Sequence, residues 1–359
     1  MTEKVVRIGF VGAGGRTVRE LLDLMQIPEA EVAALCDIDP GRCEQAVQRT
    51  KERVSSSTNT ADQSGSAERA RALHPALYTD VQRMLDGTEL DAVYVSLPPF
   101  AHGAIEHAIV DAGKAIFIEK PVALTPSEGH EILDHITQKG VISCVGYQSR
   151  YSTAVQQARR ALEGVPIGLV IAIRLGGLPG TAWWRVQDRS GGMLVEQHTH
   201  GVDLMRYLAG DIESAHAFAN TALLTDVPNL DIADVQAASV RFSSGAVGSI
   251  VNSCALQPGQ GSPPNLSGAI HIIAKEITMM ASASGLTILR PGQQREEVKD
   301  EGDPNLRLNQ AFVGAVRSGD GSAILSDYAD GLKTFEVTYA CTLSAQEGRE
   351  VRLDRLGSE

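Results

Sequence analysis

The sequence has few aromatic residues and no apolar run long enough to cross a membrane. Phe, Trp and Tyr together make up 4% of its 359 residues. No apolar stretch approaches the roughly 20 residues that a membrane-spanning helix needs. The first residues, MTEKVVRIGFVG, also lack a signal-peptide layout, because a strand begins almost at once. We therefore expect a cytoplasmic protein with no membrane partner.

Paired cysteines and an excess of positive charge are also missing. The five cysteines are odd in number, scattered along the chain and without a CxxC motif, which favours free thiols in a reducing compartment. The formal net charge is −12, so the surface repels phosphate backbones and we expect no nucleic-acid partner. The absence of a GxSxG motif argues against a serine hydrolase.

The first half of the chain alternates strands and helices. A chain of 359 residues exceeds one ordinary core, so two domains are expected. Repeated strand–helix–strand units predict parallel pairing in an α/β doubly wound Rossmann sheet, covered on both faces. The segments that carry the pattern are VVRIGFVG (5–12), VRELLDLM (18–25), EVAALCD (31–37), DAVYVSLPP (91–99), HGAIEHAIVDAG (102–113), AIFIE, GHEILDHITQKG and VISCVGY (141–147).

One segment interrupts this alternation. Residues 50–76 are rich in Ser, Thr, Asn and charged residues, and they predict a solvated insertion that is partly helical. With it, the dinucleotide-binding domain is predicted to span 1–147, followed by a second domain over 148–359.

The turn VGAGGRT follows the first strand and opens the first helix. Gly12 would allow the tight turn, and Gly14 would let the backbone approach a pyrophosphate at the helix N-terminus. Thr17 stands at the third glycine position of GxGxxG, where it either moves the helix outward or caps it. The position of the turn between strand and helix predicts a dinucleotide site.

An acidic residue ends the second strand about 20 residues later, as this motif requires. Asp37 is placed to accept hydrogen bonds from the adenosine ribose hydroxyls, which favours NAD over NADP. Arg16 and Arg42 leave NADP open, since either could reach a 2′-phosphate.

The stretch AIFIEKPVALT ends a buried strand on a charged pair. Ligands of open α/β sheets bind beyond the carboxyl ends of the strands, so Glu119 and Lys120 are predicted to lie beside the cofactor crevice. Pro121 restricts the backbone of Lys120 and helps to aim its ammonium group. Such a lysine can hold an alkoxide or carbonyl oxygen.

The second half contains long alternating segments with few helices between them. They predict an α+β domain with a large, mostly antiparallel sheet that could also join subunits. The segments are GLVIAIRLGG (168–177), ESAHAFAN (213–220), DVQAASVRFSSGAVGSIVNSCA (234–255), with a hairpin at Gly245, and GAIHIIAKEITMMASAS (268–284).

Residues 189–210, RSGGMLVEQHTHGVDLMRYLAG, predict one helix that Ser190 caps and Gly210 ends. On this helix Glu196 and His200 would lie one turn apart on a polar stripe. A structural histidine and a catalytic one both remain open for His200. The pair could chelate a metal, but it is not HExxH and has no third ligand, so no metal is expected.

The combined motifs resemble the glucose-fructose oxidoreductase / inositol dehydrogenase (Gfo/Idh/MocA) family over nearly the whole chain. The matching segments are VGAGGR, CDID, SLPPFAH, AGKAIFIEKPVALT, GYQSRY, SGGMLVEQHTHGVDLMRYLAG and YADGLKTFEVTYACTLSAQEGREVRL. This chain departs from the family pattern at Phe100, where the family frequently has Asn, and at Glu196, where the family usually has Asp.

The resemblance implies roles for individual residues. Lys120 would contact the reacting oxygen, His200 would be the general acid/base, and Glu196 would complete the catalytic group. The residues implied in cofactor binding are Gly12, Gly14, Gly15, Arg16, Asp37, Leu97, Pro98, His102, Glu119 and Lys120. Those implied in substrate binding are Lys120, Arg150, Trp184, Glu196 and His200, with the Trp183–Trp184 pair either an apolar platform for a sugar ring or plain packing.

The activity implied is NAD(P)-dependent oxidation or reduction of a secondary hydroxyl or keto group in a sugar, inositol or related polyol. NAD is the expected cofactor, with NADP possible, and a homodimer or homotetramer is the expected assembly. Two alternatives stay open. NAD could remain bound and serve elimination, epimerisation or glycoside cleavage through transient oxidation, or the fold could be a non-catalytic cofactor sensor. Lys120 and His200 argue against the sensor, which needs neither.

Overall fold

The computed structural model describes residues 4–56, 65–261 and 267–356, which form two compact units. The first unit comprises Met1–Glu119, His130–Gly146 and Asn305–Tyr328. The second comprises Lys120–Gly129, Tyr147–Pro304 and Ala329–Glu359. The chain therefore crosses between the units several times.

Helices and strands account for most of the described residues. The strands are β1 (Val6–Val11), β2 (Ala30–Cys36), β3 (Ala76–Tyr78), β4 (Ala92–Val95), β5 (Ala115–Ile118), β6 (Ser143–Val145), β7 (Ile167–Leu175), β8 (Ile212–Asn220), β9 (Val235–Phe242), β10 (Val247–Ser253), β11 (Ile270–Ala274), β12 (Ile277–Ser282), β13 (Gly285–Leu289), β14 (Glu296–Lys299) and β15 (Val351–Arg352). The α-helices are α1 (Gly15–Leu24), α2 (Pro40–Ser56), α3 (Ser66–Arg71), α4 (Val81–Gly87), α5 (Ala104–Asp111), α6 (Pro126–Lys139), α7 (Thr153–Leu162), α8 (Gln187–Ser190), α9 (Met193–Glu196), α10 (Thr199–Ala209), α11 (Pro304–Ser318) and α12 (Tyr328–Glu347). Short 3-10 helices lie at Pro99–Ala101, Gln148–Tyr151, Ala182–Arg185 and Leu353–Arg355.

The first unit contains a parallel six-stranded sheet with the order β3-β2-β1-β4-β5-β6. This is the Rossmann order, in which the direction of winding reverses between β1 and β4. The apolar runs predicted the central strands because these are buried on both faces, as the fully buried β4 and β5 show. The predicted doubly wound sheet is confirmed.

Four aromatic side chains form a cluster in the core of the first unit. Tyr94 stacks between Phe10 and Phe117 of the neighbouring strands, with ring centroids 4.8 Å and 4.4 Å away. Phe312 of α11 meets Tyr94 edge-on at 5.4 Å. The buried Tyr94 hydroxyl donates to Asn309 Oδ1 at 2.8 Å, so its polar end is satisfied. A small number of aromatics therefore joins three strands to one helix.

The second unit contains a nine-stranded sheet with the order β14-β13-β12-β11-β7-β10-β9-β8-β15. Only β7 and β10 pair in parallel; the other neighbours are antiparallel. The predicted large, mostly antiparallel sheet is confirmed, as is the hairpin at Gly245, whose φ is 87°. Residues 268–284 are not one strand, because the chain reverses between β11 and β12 at Glu276, with φ 60°.

The segment 50–76 differs from the solvated insertion predicted for it. Residues 50–56 continue α2, a 17-residue helix, and α3 agrees with the expectation that the segment is partly helical. β3, which the sequence did not reveal, starts at Ala76 and pairs with β2. Residues 57–64 of the predicted insertion lie outside the described residues.

Two further observations concern the cysteines and the helices. All five cysteines are buried, and none of them forms a disulfide. None of the helices in the described ranges is both long and apolar enough to pass through a lipid bilayer.

Candidate functional site

The glycine turn leaves its backbone open where a pyrophosphate is expected. Gly12 has φ +88°, and an added Cβ would lie 2.4 Å from the carbonyl oxygen of Ser96, so only glycine fits there. An added Cβ at Gly14 or Gly15 would meet no heavy atom within 4 Å. Gly14 caps α1 without a side-chain bond, which leaves the amides at the helix start available to an anion. These features fit the pyrophosphate of NAD.

Thr17 stands at the third glycine position of the motif, and its side chain makes a specific contact with the glycine turn. Its side chain is fully buried, and its hydroxyl donates to the carbonyl oxygen of Gly12 at 2.6 Å. The hydroxyl thus ties the first turn of α1 back to the glycine turn.

Asp37 follows β2 and reaches the same turn. Its Oδ2 accepts from the backbone N–H of Ala13 at 2.8 Å, and its Oδ1 accepts from the N–H of Asp39 at 3.0 Å. The side chain of the next residue, Ile38, is 92% exposed. The carboxylate is therefore fixed beside the glycine turn, at the edge where the sequence predicted ribose recognition.

Three further cofactor candidates of the first unit are Leu97, Pro98 and His102. Leu97 adjoins the turn, since its Cδ2 is 3.1 Å from the position of a Cβ on Gly12, and Pro98 follows it at the carboxyl end of β4. His102 is 8% exposed, and its Nδ1 lies 2.5 Å from Glu106 Oε1 at the start of α5. The His102 contact orders the start of α5.

Arg16 and Glu119 contact each other in the first unit. Arg16 Nε donates to Glu119 Oε1 at 2.5 Å, while Arg16 Nη2 reaches Glu20 at 2.9 Å and Asn305 Oδ1 at 2.8 Å. Asn305 and Asn309 of α11 donate to the fully buried Glu20 carboxylate. Burial raises the pKa of Glu20 to about 7, against the opposing attraction of Arg16. This buried network had no signal in the sequence, because α11 is distant along the chain.

Lys120 is anchored within the second unit by a single residue. Its Nζ donates to the backbone carbonyl oxygen of Glu196 at 2.8 Å and to Glu196 Oε1 at 3.1 Å. The side chains are 13% and 6% exposed. The peptide bond between Lys120 and Pro121 is cis. Glu196 therefore fixes the position of the ammonium group.

The predicted single helix over 189–210 is wrong. The segment forms α8, α9 and α10, interrupted at Gly191 and Gly192, whose φ values are +72° and +89°, and again after Glu196. Ser190 ends α8 instead of capping a helix, whereas α10 stops at Gly210 as expected. Glu196 and His200 thus lie on different helices and do not form an i, i+4 pair.

His200 is the second residue of α10 and lies against Tyr147. The two rings meet edge-on with centroids 6.0 Å apart, and the Tyr147 hydroxyl is 2.8 Å from Thr199 Oγ1. Burial raises the pKa of Tyr147 well above its ordinary range, so this hydroxyl stays protonated. His200 also lines a cavity of about 250 Å³ together with Gln197 and His198. Tyr147 had not been singled out in the sequence.

Arg150, which the resemblance implied in substrate binding, is part of a buried ion-pair network in the second unit. It is 2% exposed, and its guanidinium is held by Asp203 through Nε and Nη2 and by Asp330 through Nη1. These donors are thus directed at carboxylates within the protein.

Trp184 lies on the 3-10 helix Ala182–Arg185, next to Trp183. The two rings are 5.4 Å apart at 71°. Trp184 Nε1 is buried and has no hydrogen-bond partner among the described residues, so this donor is available to a ligand. Over the described ranges, no three His, Cys, Asp or Glu side chains are grouped as metal ligands.

Comparison with known proteins matches both halves of the chain to one family. The family model described as oxidoreductase family Gfo/Idh/MocA, NAD-binding Rossmann fold, matches residues 6–147, and the model of the Gfo/Idh/MocA C-terminal domain matches residues 155–276.

Individual relatives and structures agree with this match. The myo-inositol 2-dehydrogenase of Thermotoga maritima is 25% identical over 365 residues, covering 98% of this chain and 99% of that protein. The NAD(+)-dependent scyllo-inositol 2-dehydrogenase of Bacillus subtilis is 27% identical over 288 residues, covering 77% of this chain and 81% of that protein. The structure of levoglucosan dehydrogenase in complex with NADH and levoglucosan has a TM-score of 0.80 at 20% identity, covering 98% of this chain and 100% of that one. The chain therefore belongs to the Gfo/Idh/MocA family and is an NAD-dependent oxidoreductase of the dehydrogenase type.

Proposed function

We propose that this enzyme transfers a hydride between NAD and a secondary hydroxyl or keto group of a sugar, inositol or related polyol. The observation that carries the proposal is the anchored Lys120, whose Nζ is held by two oxygens of Glu196. A lysine fixed in this way is suited to hold a substrate oxygen that gains negative charge. The relatives named as inositol dehydrogenases support this class of substrate.

The cofactor would be held by the glycine turn and by Asp37. Gly12 and Gly14 leave room for the pyrophosphate, and the Asp37 carboxylate favours ribose hydroxyls over a 2′-phosphate. NAD, when bound, supplies the hydride acceptor for oxidation and, once reduced, the hydride donor for reduction.

The chain's own residues would manage the proton and the charge on oxygen. His200 would take the hydroxyl proton during oxidation, a role suited to imidazole because its unperturbed pKa is about 6.5. Lys120 would donate a hydrogen bond to the oxygen as its charge develops. Glu196 is a positioning residue, because it acts through Lys120.

Single substitutions test this division of labour. We expect His200→Ala and Lys120→Ala each to lower turnover by roughly 10²–10⁴ while NAD binding is retained. Lys120→Arg should not restore activity, because a planar fork does not replace a compact ammonium. Turnover is followed by the absorbance of reduced nicotinamide across a panel of polyols, aldoses and keto-sugars, and NAD binding is followed by calorimetry.

The matched control for His200→Ala is His74→Ala, which changes an exposed histidine of the first unit and should leave turnover unchanged.

The turnover of the double variant of Lys120 and His200 should fall by less than the product of the two single losses, since both groups would act on one oxygen in one transition state. Full turnover of His200→Ala would return His200 to a structural role.

We also propose a homodimer or homotetramer formed through the sheet of the second unit. One face of this sheet leaves large apolar side chains exposed, including Phe218 at 71%, Ile273 at 51% and Val247 at 47%. Register places Val247, Leu169 and Ile273 in one row across three strands. On β9 this row continues with Arg241, so the apolar side chains form a patch, and exposed apolar patches favour association. A clean monomer in sedimentation at micromolar concentration would reject the assembly.

A further inference from the structure

Arg174 is a half-buried cation of the second unit with no carboxylate partner among the described residues. It is the penultimate residue of β7, and its Nη2 donates to Gln197 Oε1 at 2.9 Å. Its Nη1 is buried and has no hydrogen-bond partner among the described residues. No carboxylate is paired with this guanidinium there, and burial lowers its pKa, with only the nearby Cys254 thiol acting in the opposite direction. A guanidinium stays charged in a protein, so the fold holds an uncompensated positive charge.

Asn252, on the neighbouring strand β10, also has buried polar atoms without hydrogen-bond partners among the described residues. Asn252 is the register partner of Arg174 and is fully buried, yet neither its Oδ1 nor its Nδ2 has a partner in the described part of the chain. Register partners present their side chains on the same face of a sheet. Buried polar atoms without a hydrogen-bond partner are costly, and their occurrence on two adjacent side chains indicates a ligand that completes their hydrogen bonds.

A cavity of about 250 Å³ lies at this guanidinium. It is lined by Arg174, Gln197, His198 and His200, among others, all in the second unit. The imidazole of His198 donates to the carbonyl of Ala172, and burial lowers its pKa to about 4, so it is neutral at physiological pH. Its Nε2 has no hydrogen-bond partner among the described residues and can therefore accept from a hydroxyl group.

We propose that this cavity binds the carboxylate of a polyhydroxy acid, with Arg174 as the residue that selects an acid over the corresponding neutral sugar or polyol. Arg174 Nη1 would donate to the carboxylate, and His198 Nε2 would accept from a substrate hydroxyl. This inference rests on the proposed function, because His200, the proposed acid/base, lines the same cavity. It narrows the substrate to hydroxy acids of the sugar type.

The geometry favours a small carboxylate over other anions. A planar guanidinium matches a planar carboxylate, which can accept from it in bidentate fashion. A volume of about 250 Å³ suits a molecule of roughly monosaccharide size. One cation without a neighbouring carboxylate balances the single charge of such an acid.

The test compares pairs of ligands that differ only in a carboxylate. The pairs are D-glucuronate with D-glucose and D-gluconate with D-glucitol, titrated calorimetrically into the full-length enzyme loaded with NADH. We expect the preferred acid to bind at least about ten-fold more tightly than its neutral counterpart. Arg174→Gln should weaken the acid by about 10–100-fold and change the neutral ligand little, the range that a hydrogen bond to a charged group gives.

Two further variants separate a local effect from a general loss of structure. Gly176→Ala keeps the charge but places a Cβ 3.0 Å from Arg174 Nη1, so it should also weaken the acid. Arg159→Gln removes the same charge from an exposed arginine that stacks on Tyr207 at 4.2 Å, and it should leave the preference unchanged.

The outcomes distinguish this inference from the proposed function. Equal affinity for acids and neutral ligands, or an acid preference that survives Arg174→Gln, would overturn the carboxylate site. Hydride transfer is followed separately through nicotinamide absorbance. Acid binding that depends on Arg174, without any hydride transfer, would support the carboxylate site and reject the dehydrogenase reaction. Hydride transfer with neutral polyols, without a preference for acids, would support the dehydrogenase reaction and reject the carboxylate site.

Discussion

The buried pair of Arg150 and Asp203 provides a stability prediction that also tests the role of Arg150. The side chains are 3% and 1% exposed, and Arg150 Nε lies 2.9 Å from Asp203 Oδ2. Asp203→Asn removes the negative charge without changing the volume, and it turns an amide N–H₂ or a neutral oxygen toward the guanidinium. The change therefore leaves a buried cation with a weaker partner.

The size of the loss follows from what remains around Arg150. Breaking a buried ion pair by removing one partner costs about 3–5 kcal/mol. Asp330, which is 34% exposed, still contacts Arg150 Nη1, so partial compensation favours the lower end, about 3 kcal/mol. For a unit of this size we expect a fall of about 6–12 °C in the melting temperature of the transition that unfolds the second unit. Differential scanning calorimetry measures it, and resolved transitions are analysed separately because two units need not unfold together.

Arg150→Gln and the double variant complete a thermodynamic cycle. The double variant should be less destabilised than the sum of the single losses, because neither charge is then left alone in the interior. If Arg150 instead bound substrate, Arg150→Gln would raise KM and leave the melting temperature nearly unchanged. A melting temperature of Asp203→Asn within about 1 °C of the wild type would refute the reasoning, since 1 °C corresponds to well under 1 kcal/mol.

Two further predictions concern the first unit. Asp37→Ala should weaken NAD far more than NADP in calorimetric titrations, because the lost carboxylate repels a 2′-phosphate; equal loss of both cofactors would sink its role as selector. Glu20 has a folded-state pKa of about 7, above its ordinary 4.5, so the folded protein binds this proton more tightly than the unfolded chain and stability falls as pH rises between the two values. Glu20→Gln should therefore raise the melting temperature at pH 8 relative to the wild type and bring little gain at pH 4, whereas a gain that is the same at both values would contradict the assignment.

Much of the fold was visible in the sequence because its signals are local. The apolar run of β1, the glycine turn after it and the helical spacing of α1 lie within about 20 residues, and each follows from periodicity and turn chemistry. The same holds for the Lys120 position, which follows directly from the end of β5. Local patterns of this kind require no knowledge of distant contacts.

The features that were missed depend on distant parts of the chain. The return of Asn305–Tyr328 to the first unit has no marker, because an amphipathic helix does not reveal which core it covers. Arg150 was implied in substrate binding, and its pairing with Asp203 and Asp330 becomes visible only in three dimensions. Arg174 lies in an apolar strand, where nothing in the sequence shows that it lacks an acid.

The break after Glu196 explains how Lys120 is anchored. In an unbroken helix the carbonyl oxygen of Glu196 would accept from the N–H of His200, four residues on. Because α9 ends at Glu196, this oxygen is one of the carbonyls that a helix end leaves unpaired, and Lys120 Nζ occupies it at 2.8 Å. A lysine held by a backbone oxygen depends only partly on the side chain beside it. Either Glu or Asp at residue 196 would keep that backbone contact, so the extra methylene of Glu196 alters one of the two contacts that position Lys120 and leaves the other in place.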